Sequence, residues 1–377
     1  MTARYLMAGQ LAFLARSGFD VRLITSPGPH LDAVRREQGV ECLAVPILRE
    51  IRPLADIVSL LRLTRLLRRI RPTVVNASTP KAGLLGMLAA TLAGVPIRLY
   101  TLRGLRLETT GGLKRTFLTL GEKMTALCAH RIVPVSPSLQ RRYIEHRLAP
   151  RRKIFLLGAG SSNGIDCARF RPPHASENLD LVRADLDLQN GRSVIGFVGR
   201  LVKDKGIEDL VRAFDQLVLE RFPGSQLLLV GDFETGDQLD GRARDFLATR
   251  PEVRIAGFLT DTASAYRVMD VLAFPSYREG LPNVPLEAAA TALPVVGYAA
   301  TGTVDAVEDG VTGLLVPIGD WRALGEALCR YLEDSDVRHR HGAAARQRVI
   351  ELFSQEKVWR SWRDLYCDLL PEAVVRK

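Results

Sequence analysis

With 377 residues, 47% of them hydrophobic and few of them aromatic, the chain is long for one domain and comfortable for two α/β domains. Its formal net charge of +10 is unevenly spread: residues 1–190 hold 29 Lys+Arg against 14 Asp+Glu, whereas residues 191–377 hold 23 against 28. Five scattered cysteines without CxxC spacing argue against a disulfide framework or a zinc site and for free thiols in a reducing cytoplasm.

In chain order, helical patterns at 5–17, 31–37, 56–70, 81–93, 114–126 and 138–146 interleave with strand patterns at 21–25, 41–45, 73–76, 98–101, 131–135 and 154–157. The apolar stretch 82–97 is too short to span a bilayer and is broken by three glycines and Pro96. The segment between Arg4 and Arg16 is short and interrupted by Gln10, so no secretory signal is expected. A second set of strand patterns follows at 194–198, 226–230, 253–256, 271–274, 294–296 and 313–316, with helices between. Such alternation predicts parallel sheets with right-handed crossovers. The polar stretch 172–190 reads as the region between an N-terminal domain, 1–185, and a C-terminal domain, 190–353. A last helix is expected at 354–370, carrying Trp359, Trp362 and Tyr366.

The positive excess is concentrated. Arg62, Arg65, Arg68, Arg69 and Arg71 punctuate a helix whose other face carries Leu60, Leu63, Leu66, Leu67 and Ile70. A basic amphipathic helix suits an anionic membrane surface, and an ordinary solvated face on a core helix explains the same residues equally well. Further cations at Arg103, Arg106, Lys114, Arg115, Arg141 and Arg142 favour an anionic partner. No nucleic-acid motif or aromatic interleaving accompanies them, so nucleic acid is not the expected partner.

Two motifs point to chemistry. The first is Gly199-Arg200-Leu201-Val202-Lys203-Asp204-Lys205-Gly206, a basic turn directly after the apolar run 194–198. Its cations fall where open parallel sheets bind ligands, at the carboxyl ends of the strands; Arg200 suits a bidentate grip on a diphosphate and Lys205 supplies a point charge. The second runs from Glu279 through Gly280-Leu281-Pro282-Asn283-Val284-Pro285-Leu286 to Glu287. It joins two carboxylates through a stiff loop into a helix start, with Pro285 expected at the first helical position and Glu287 in the first turn. A helix N-terminus favours a phosphate, and Glu287 beside it would accept hydrogen bonds from sugar hydroxyls. Solvated loop charges and a dipole-favoured acid are the plain readings of each motif alone. Together they favour a nucleotide-diphosphate site.

Gly199-Arg200 with Lys205, followed by Glu279 and Glu287 in a Glu-x7-Glu motif, resembles the GT4 family of retaining, nucleotide-sugar-dependent glycosyltransferases. Thr79-Pro80-Lys81-Ala82-Gly83, Tyr100-Thr101 and Ser162-Asn163-Gly164-Ile165-Asp166 with Arg169-Phe170 resemble the branch acting on undecaprenyl-diphosphate-linked acceptors in bacterial capsule and O-antigen assembly. The resemblance covers nearly the whole chain. It implies the GT-B fold: two Rossmann-like, doubly wound domains with a cleft between them, the terminal helix crossing back to the N-terminal domain.

Two departures stand out. Members of the family open on a strand and a glycine-containing loop; here the first element is a helix and the first strand is missing from the sequence, so the expectation is a natural start upstream of Met1, the alternative being that another segment fills the gap. Many members also carry His-Gly after the strand equivalent to 98–101, where this chain has Arg103-Gly104. Arginine stays protonated and supplies only hydrogen bonds and charge. Other signals are weaker. Gly158 to Gly164 misses the dinucleotide fingerprint by one residue and is followed by no clear helix. Asp185-Leu186-Asp187 follows no strand and reads as solvated rather than metal-binding.

The resemblance implies a metal-independent, retaining transferase without a cofactor, with a UDP-sugar as expected donor. It would work from the cytoplasm on the inner face of the membrane, on a polyprenyl-diphosphate-linked saccharide. The expected catalytic groups are Glu279, Arg200, Lys205 and Arg103. The donor would be held by Arg200, Lys205, Gly280, Leu281, Asn283, Val284 and Glu287. Asn76, Lys81 and Glu108 are expected on the acceptor side. A nucleotide-sugar 2-epimerase of the same fold is the rival activity, and a catalytically idle glycan-assembly subunit is the rival role.

Overall fold

The computed structural model describes residues 2–48, 52–234 and 238–370. They divide at Gly164/Ile165 and Ser354/Gln355 into two units, the first made of both ends of the chain and the second of its middle. The division falls upstream of the 185–190 boundary expected from composition. The polar stretch instead contributes a short helix, Leu179–Asp185, that packs on Ala263–Arg267 of the second unit.

The second unit is one parallel sheet of six strands: β6 (Val194–Val198), β7 (Gln226–Val230), β8 (Val253–Gly257), β9 (Val271–Phe274), β10 (Val295–Tyr298) and β11 (Gly313–Val316), in the order 11-10-9-6-7-8. Unbroken apolar runs such as Val194-Ile195-Gly196-Phe197-Val198 are what a strand covered on both faces requires, and all five residues are buried. The expected strands fall within a residue or two of these bounds. The helix after β6 begins at Ile207 and passes through a π-turn at Phe214–Val218.

The first unit carries β1 (Arg22–Thr25) with β2 (Glu41–Ala44), and separately β3 (Val74–Ser78), β4 (Ile97–Leu102) and β5 (Arg131–Pro134), all parallel. Ile24 of β1 and Val75 of β3 pack on one cluster with Leu63, Leu67 and Ala89, yet no pairing joins β1 to β3. Among the described residues none before Arg22 is a strand; the first elements are the helices Thr2–Leu6 and Gln10–Arg16, as the opening sequence pattern implied. The expected strand at 154–157 does not form, because Ile154 makes only an isolated bridge to Ile132.

The helices Pro53–Ile70, Pro80–Leu92 and Gly112–Cys128 form one layer, the middle helix packing on both others and on β3 and β4. The closing helix Gln355–Leu369 belongs to the first unit, where Val358 and Trp362 are buried against Val133. No helix among the described residues is long and apolar enough to cross a membrane.

Candidate active site

Sheet order creates the site in the second unit. From β6 the chain winds through β7 and β8 to one side; from β9 it winds through β10 and β11 to the other. The loops leaving the carboxyl ends of β6 and β9 therefore diverge, and a doubly wound sheet binds ligands in the crevice between such loops. Two glycines let these loops close up. Gly206 has φ +72°, and a Cβ there would lie 2.1 Å from the Pro275 carbonyl oxygen; Gly302, after β10 at φ +79°, would place its Cβ 2.4 Å from the Gly280 carbonyl oxygen of the β9 loop.

Contact follows between residues far apart in sequence. The Lys205 ammonium ion-pairs with Glu279 Oε1 and reaches Ser276 Oγ at 3.5 Å, and the Ser276 hydroxyl donates to the same Glu279 oxygen at 2.8 Å. Beside them Arg278 pairs with Asp204 at 2.8 Å, bracing the two loops. Arg200, the other cation expected on the donor, is exposed and paired with Glu234 after β7 at 2.6 Å. The two cations thus rest on different carboxylates.

The helix after the Glu279 loop spans Asn283–Ala290. It begins earlier than its proline implied: Pro285 is its third residue and Glu287 its fifth, so Glu287 lies beyond the first turn. Proline is tolerated there because the first four N–H groups of a helix have no intrahelical partner. No side chain caps this N-terminus at Pro282, and Gly280, Leu281, Asn283 and Val284 make up the approach to it. Glu287 is half-buried and accepts a 2.9 Å hydrogen bond on Oε2 from the hydroxyl of Tyr266. Burial pushes the Glu287 carboxyl above its ordinary range, opposed by the Tyr266 bond and the charge of Arg169. Tyr266 is itself buried, with Phe170 edge-on at 5.9 Å, while Arg169 pairs with Asp261 at 3.0 Å. The segment around Arg169-Phe170 thereby backs the Glu287 carboxylate.

In the first unit the expected acceptor-side residues separate into two groups. Asn76 accepts from the Thr101 hydroxyl at 2.8 Å and donates to the Tyr366 hydroxyl at 2.8 Å, bridging β3, β4 and the closing helix. Arg103 donates from Nη1 to Ser162 Oγ at 2.5 Å, its Nε is buried without a partner, and it lies in electrostatic range of Tyr366. Burial lowers its pKa to about 10, which leaves it charged near neutrality. Lys81, in contrast, is ion-paired with Asp56 of the Pro53–Ile70 helix at 2.6 Å. Glu108 is held by Arg142 at 2.9 Å. Asn76 and Arg103 therefore share a neighbourhood, and Lys81 and Glu108 are engaged elsewhere.

Sequence reasoning missed Ser276, Tyr266, Ser162 and Tyr366. Ser276 lies three residues before Glu279, and that nearness to a motif carboxylate is its only local signal. The tyrosines carry no local signal, since only packing places their hydroxyls. Asp187 pairs with Arg254 at 2.7 Å and is solvent-exposed.

Comparison with known proteins bears on this arrangement. Residues 192–334 match the family described as glycosyl transferases group 1, and residues 3–160 match the glycosyl transferase 4-like domain. The chain is 38% identical over 368 residues, 98% of its length and 95% of the relative's, to a Staphylococcus aureus protein named capsular polysaccharide biosynthesis glycosyltransferase CapM. It is 28% identical, over 96% of its length and 92% of the relative's, to an Escherichia coli protein named UDP-Gal:alpha-D-GlcNAc-diphosphoundecaprenol alpha-1,3-galactosyltransferase. Among solved structures, a Rickettsia africae glycosyltransferase superposes with a TM-score of 0.80 at 18% identity, covering 98% of this chain and 96% of its own. Anabaena HepE in complex with UDP superposes with a TM-score of 0.78 at 17% identity, covering 96% of each chain. These structures share the GT-B arrangement of two Rossmann-like domains.

Proposed function

We propose a specific role for this chain, which belongs to the group 1 glycosyl transferases: it moves a sugar from a nucleotide sugar to a saccharide carried on a membrane lipid diphosphate, retaining the anomeric configuration. The observation that carries the reading is the convergence, at the β6/β9 switch point, of Lys205, Ser276, Glu279 and the N-terminus of the Asn283–Ala290 helix. A UDP-sugar donor is supported by the UDP-Gal of the Escherichia coli relative's name and by the UDP held in the Anabaena structure. The lipid-diphosphate acceptor and a place in cell-surface glycan assembly are supported by the names of the two relatives.

In this reading the bond from the sugar's anomeric carbon to the diphosphate oxygen breaks while a bond to the acceptor oxygen forms on the same face. The acceptor's hydroxyl proton passes to the departing diphosphate, so no protein nucleophile enters. Negative charge grows on the leaving group, and positive groups fixed in advance lower the barrier. Lys205 and Arg200, with the backbone N–H groups of 281–284, are those groups. Two cations and a helix N-terminus do the work a metal ion would otherwise do. Arg200 exchanges Glu234 for the diphosphate. Glu279 orients Lys205 and faces the sugar. Glu287, one oxygen held by Tyr266, offers the other to ribose hydroxyls. Arg103 contributes charge on the acceptor side.

The test is nucleotide release from UDP-, GDP- and dTDP-sugars with membrane lipid extract as acceptor. Lys205→Ala and Glu287→Ala are each expected to lower turnover by about 100-fold. Unchanged turnover in both, and in Arg200→Ala, would overturn the assignment. Donor turnover without any lipid-dependent transfer would favour the 2-epimerase.

A further inference from the structure

Tyr277 stands between Ser276 and Arg278, which engage Glu279 and Asp204 of the donor loops, yet its own hydroxyl donates to Oδ2 of Asp209. Asp209 lies in the first turn of the Ile207–Ala213 helix, where the helix dipole favours a carboxylate, and it is only 7% exposed. The same oxygen accepts the Tyr298 hydroxyl at 2.8 Å, and the two tyrosine rings meet edge-on with centroids 5.5 Å apart. The turn after β11 closes over the Tyr277 hydroxyl, where a Cβ on Gly319 would stand 3.8 Å away. Burial, reinforced by the Asp209 bond, raises the pKa of both tyrosine hydroxyls, so each remains protonated and donates near neutrality.

The two donors differ in what else fixes them. Tyr298 is the last residue of β10, in register with Val316 of β11 and fully buried, so strand pairing places it whether or not its hydroxyl is bonded. Tyr277 lies in the loop after β9, outside the sheet. Its backbone N–H reaches the Asp204 carbonyl at 3.2 Å, the long end of a hydrogen bond. Glu279 follows two residues later, and Lys205, its ion-pair partner, precedes Asp209 by four. The β6 and β9 sides are therefore tied twice: by Lys205 and Glu279 among the donor-facing groups, and by Asp209 and Tyr277 in the core. The first tie alone does not set the backbone, because a flexible lysine stem follows a shifted carboxylate without losing the pair.

We infer that Asp209, acting through Tyr277, is a positioning residue that fixes where Glu279 stands and, through Glu279, where the Lys205 ammonium meets the departing diphosphate. The inference rests on the reading that Glu279 and Lys205 serve the transfer. A hydrogen bond to an ionised carboxylate is among the stronger kinds, so one such bond suffices to pin a short loop. Misplacing a reacting group by about 1 Å costs as much as 10²-fold in rate. Substrate binding depends less on this contact, because Arg200 and the backbone N–H groups of 281–284 do not pass through it.

The experiment compares Tyr277→Phe, Asp209→Asn and Tyr298→Phe in the full chain, by UDP release from a UDP-sugar with membrane lipid extract, by calorimetric UDP binding and by thermal melting. Tyr277→Phe should lower kcat by about 10-fold while donor KM and UDP affinity stay within about two-fold of wild type. Asp209→Asn should lower kcat at least as far, since both hydroxyls lose their anionic acceptor. Tyr298→Phe removes a bond to the same oxygen from a residue the sheet already holds; it should lower the melting temperature and keep kcat within about two-fold. Wild-type kcat in Tyr277→Phe overturns the inference. So does an equal loss of kcat in Tyr298→Phe, which would make Asp209 a stabilising group only. Should Asp209→Asn fail to fold, the two tyrosine variants still decide. Glu279→Gln separates this inference from the reading beneath it. A loss of turnover there with none in Tyr277→Phe sinks the positioning role alone, and unchanged turnover in both sinks the role of Glu279 as well.

Discussion

Glu122 makes the stability of the first unit depend on pH in a calculable way. Its carboxyl is buried beneath the Gly112–Cys128 helix, and burial raises its pKa from 4.5 to about 7, against the partial relief of two tyrosine hydroxyls at 3.3 and 3.4 Å. A carboxyl whose pKa is higher folded than unfolded binds its proton more tightly in the native state. Its contribution is therefore fully present below pH 4.5 and is lost as pH rises through 7. At 1.36 kcal/mol per unit the loss amounts to about 3 kcal/mol between these limits, a substantial part of the 5–15 kcal/mol that holds a typical protein together. Replacing the acid by its neutral isostere in Glu122→Gln should remove that slope while keeping a group for the tyrosines to bond. Denaturant unfolding of both proteins from pH 5 to 8 checks it: the wild type should weaken relative to the variant by roughly 2–3 kcal/mol over this range. Parallel curves for the two proteins would refute the reasoning, whatever the absolute stability of either.

Further outcomes follow from the second unit. Tyr266→Phe removes the hydroxyl that holds Glu287 and should raise the donor KM by about 10-fold with little change in kcat. Because the Tyr266 bond holds the Glu287 pKa down, the variant's donor binding should also fail at a higher pH than the wild type's as the medium is acidified; identical KM values and pH profiles would exclude this positioning role. Gly206→Ala forces a Cβ into the Pro275 carbonyl at a left-handed φ and should lower stability by about 1–3 kcal/mol, read by chemical denaturation. Glu279→Gln breaks the ion pair with Lys205, and it should lower kcat more than it raises the donor KM, measured under saturating acceptor.

Much of the fold was legible because its signals are local. Runs such as 194–198 and 226–230 are apolar at every position, which marks strands covered on both faces, and glycine-bounded polar turns separate them from helices. The basic turn at 199–206 and the Glu279–Glu287 segment were readable for the same reason, each being a short motif at the end of such a strand. Boundaries were less secure. Pro285 suggested a helix start, yet backbone geometry begins the helix at Asn283, since a proline is equally permissible two residues further in. The 154–157 run looked like a strand by composition, but only Ile154 finds a partner. Glu108 and Lys81 looked available until Arg142 and Asp56, distant in sequence, were seen to engage them.

By itself, the sequence determined the α/β class, the parallel sheets, a helix rather than a strand as the first of the described elements, and the two motifs at 199–206 and 279–287. These follow from periodicity, charge and glycine placement within a few residues of each position. The tertiary structure alone decided which side chains meet. Strand order 11-10-9-6-7-8 makes β6 and β9 neighbours, and so sets Lys205 against Glu279. Packing sets Tyr266 on Glu287 and seals Glu122 beneath a helix whose other face is left apolar and exposed. Such contacts depend on strand order and on which helix face finds the core, properties of the assembled chain that no local window of residues contains.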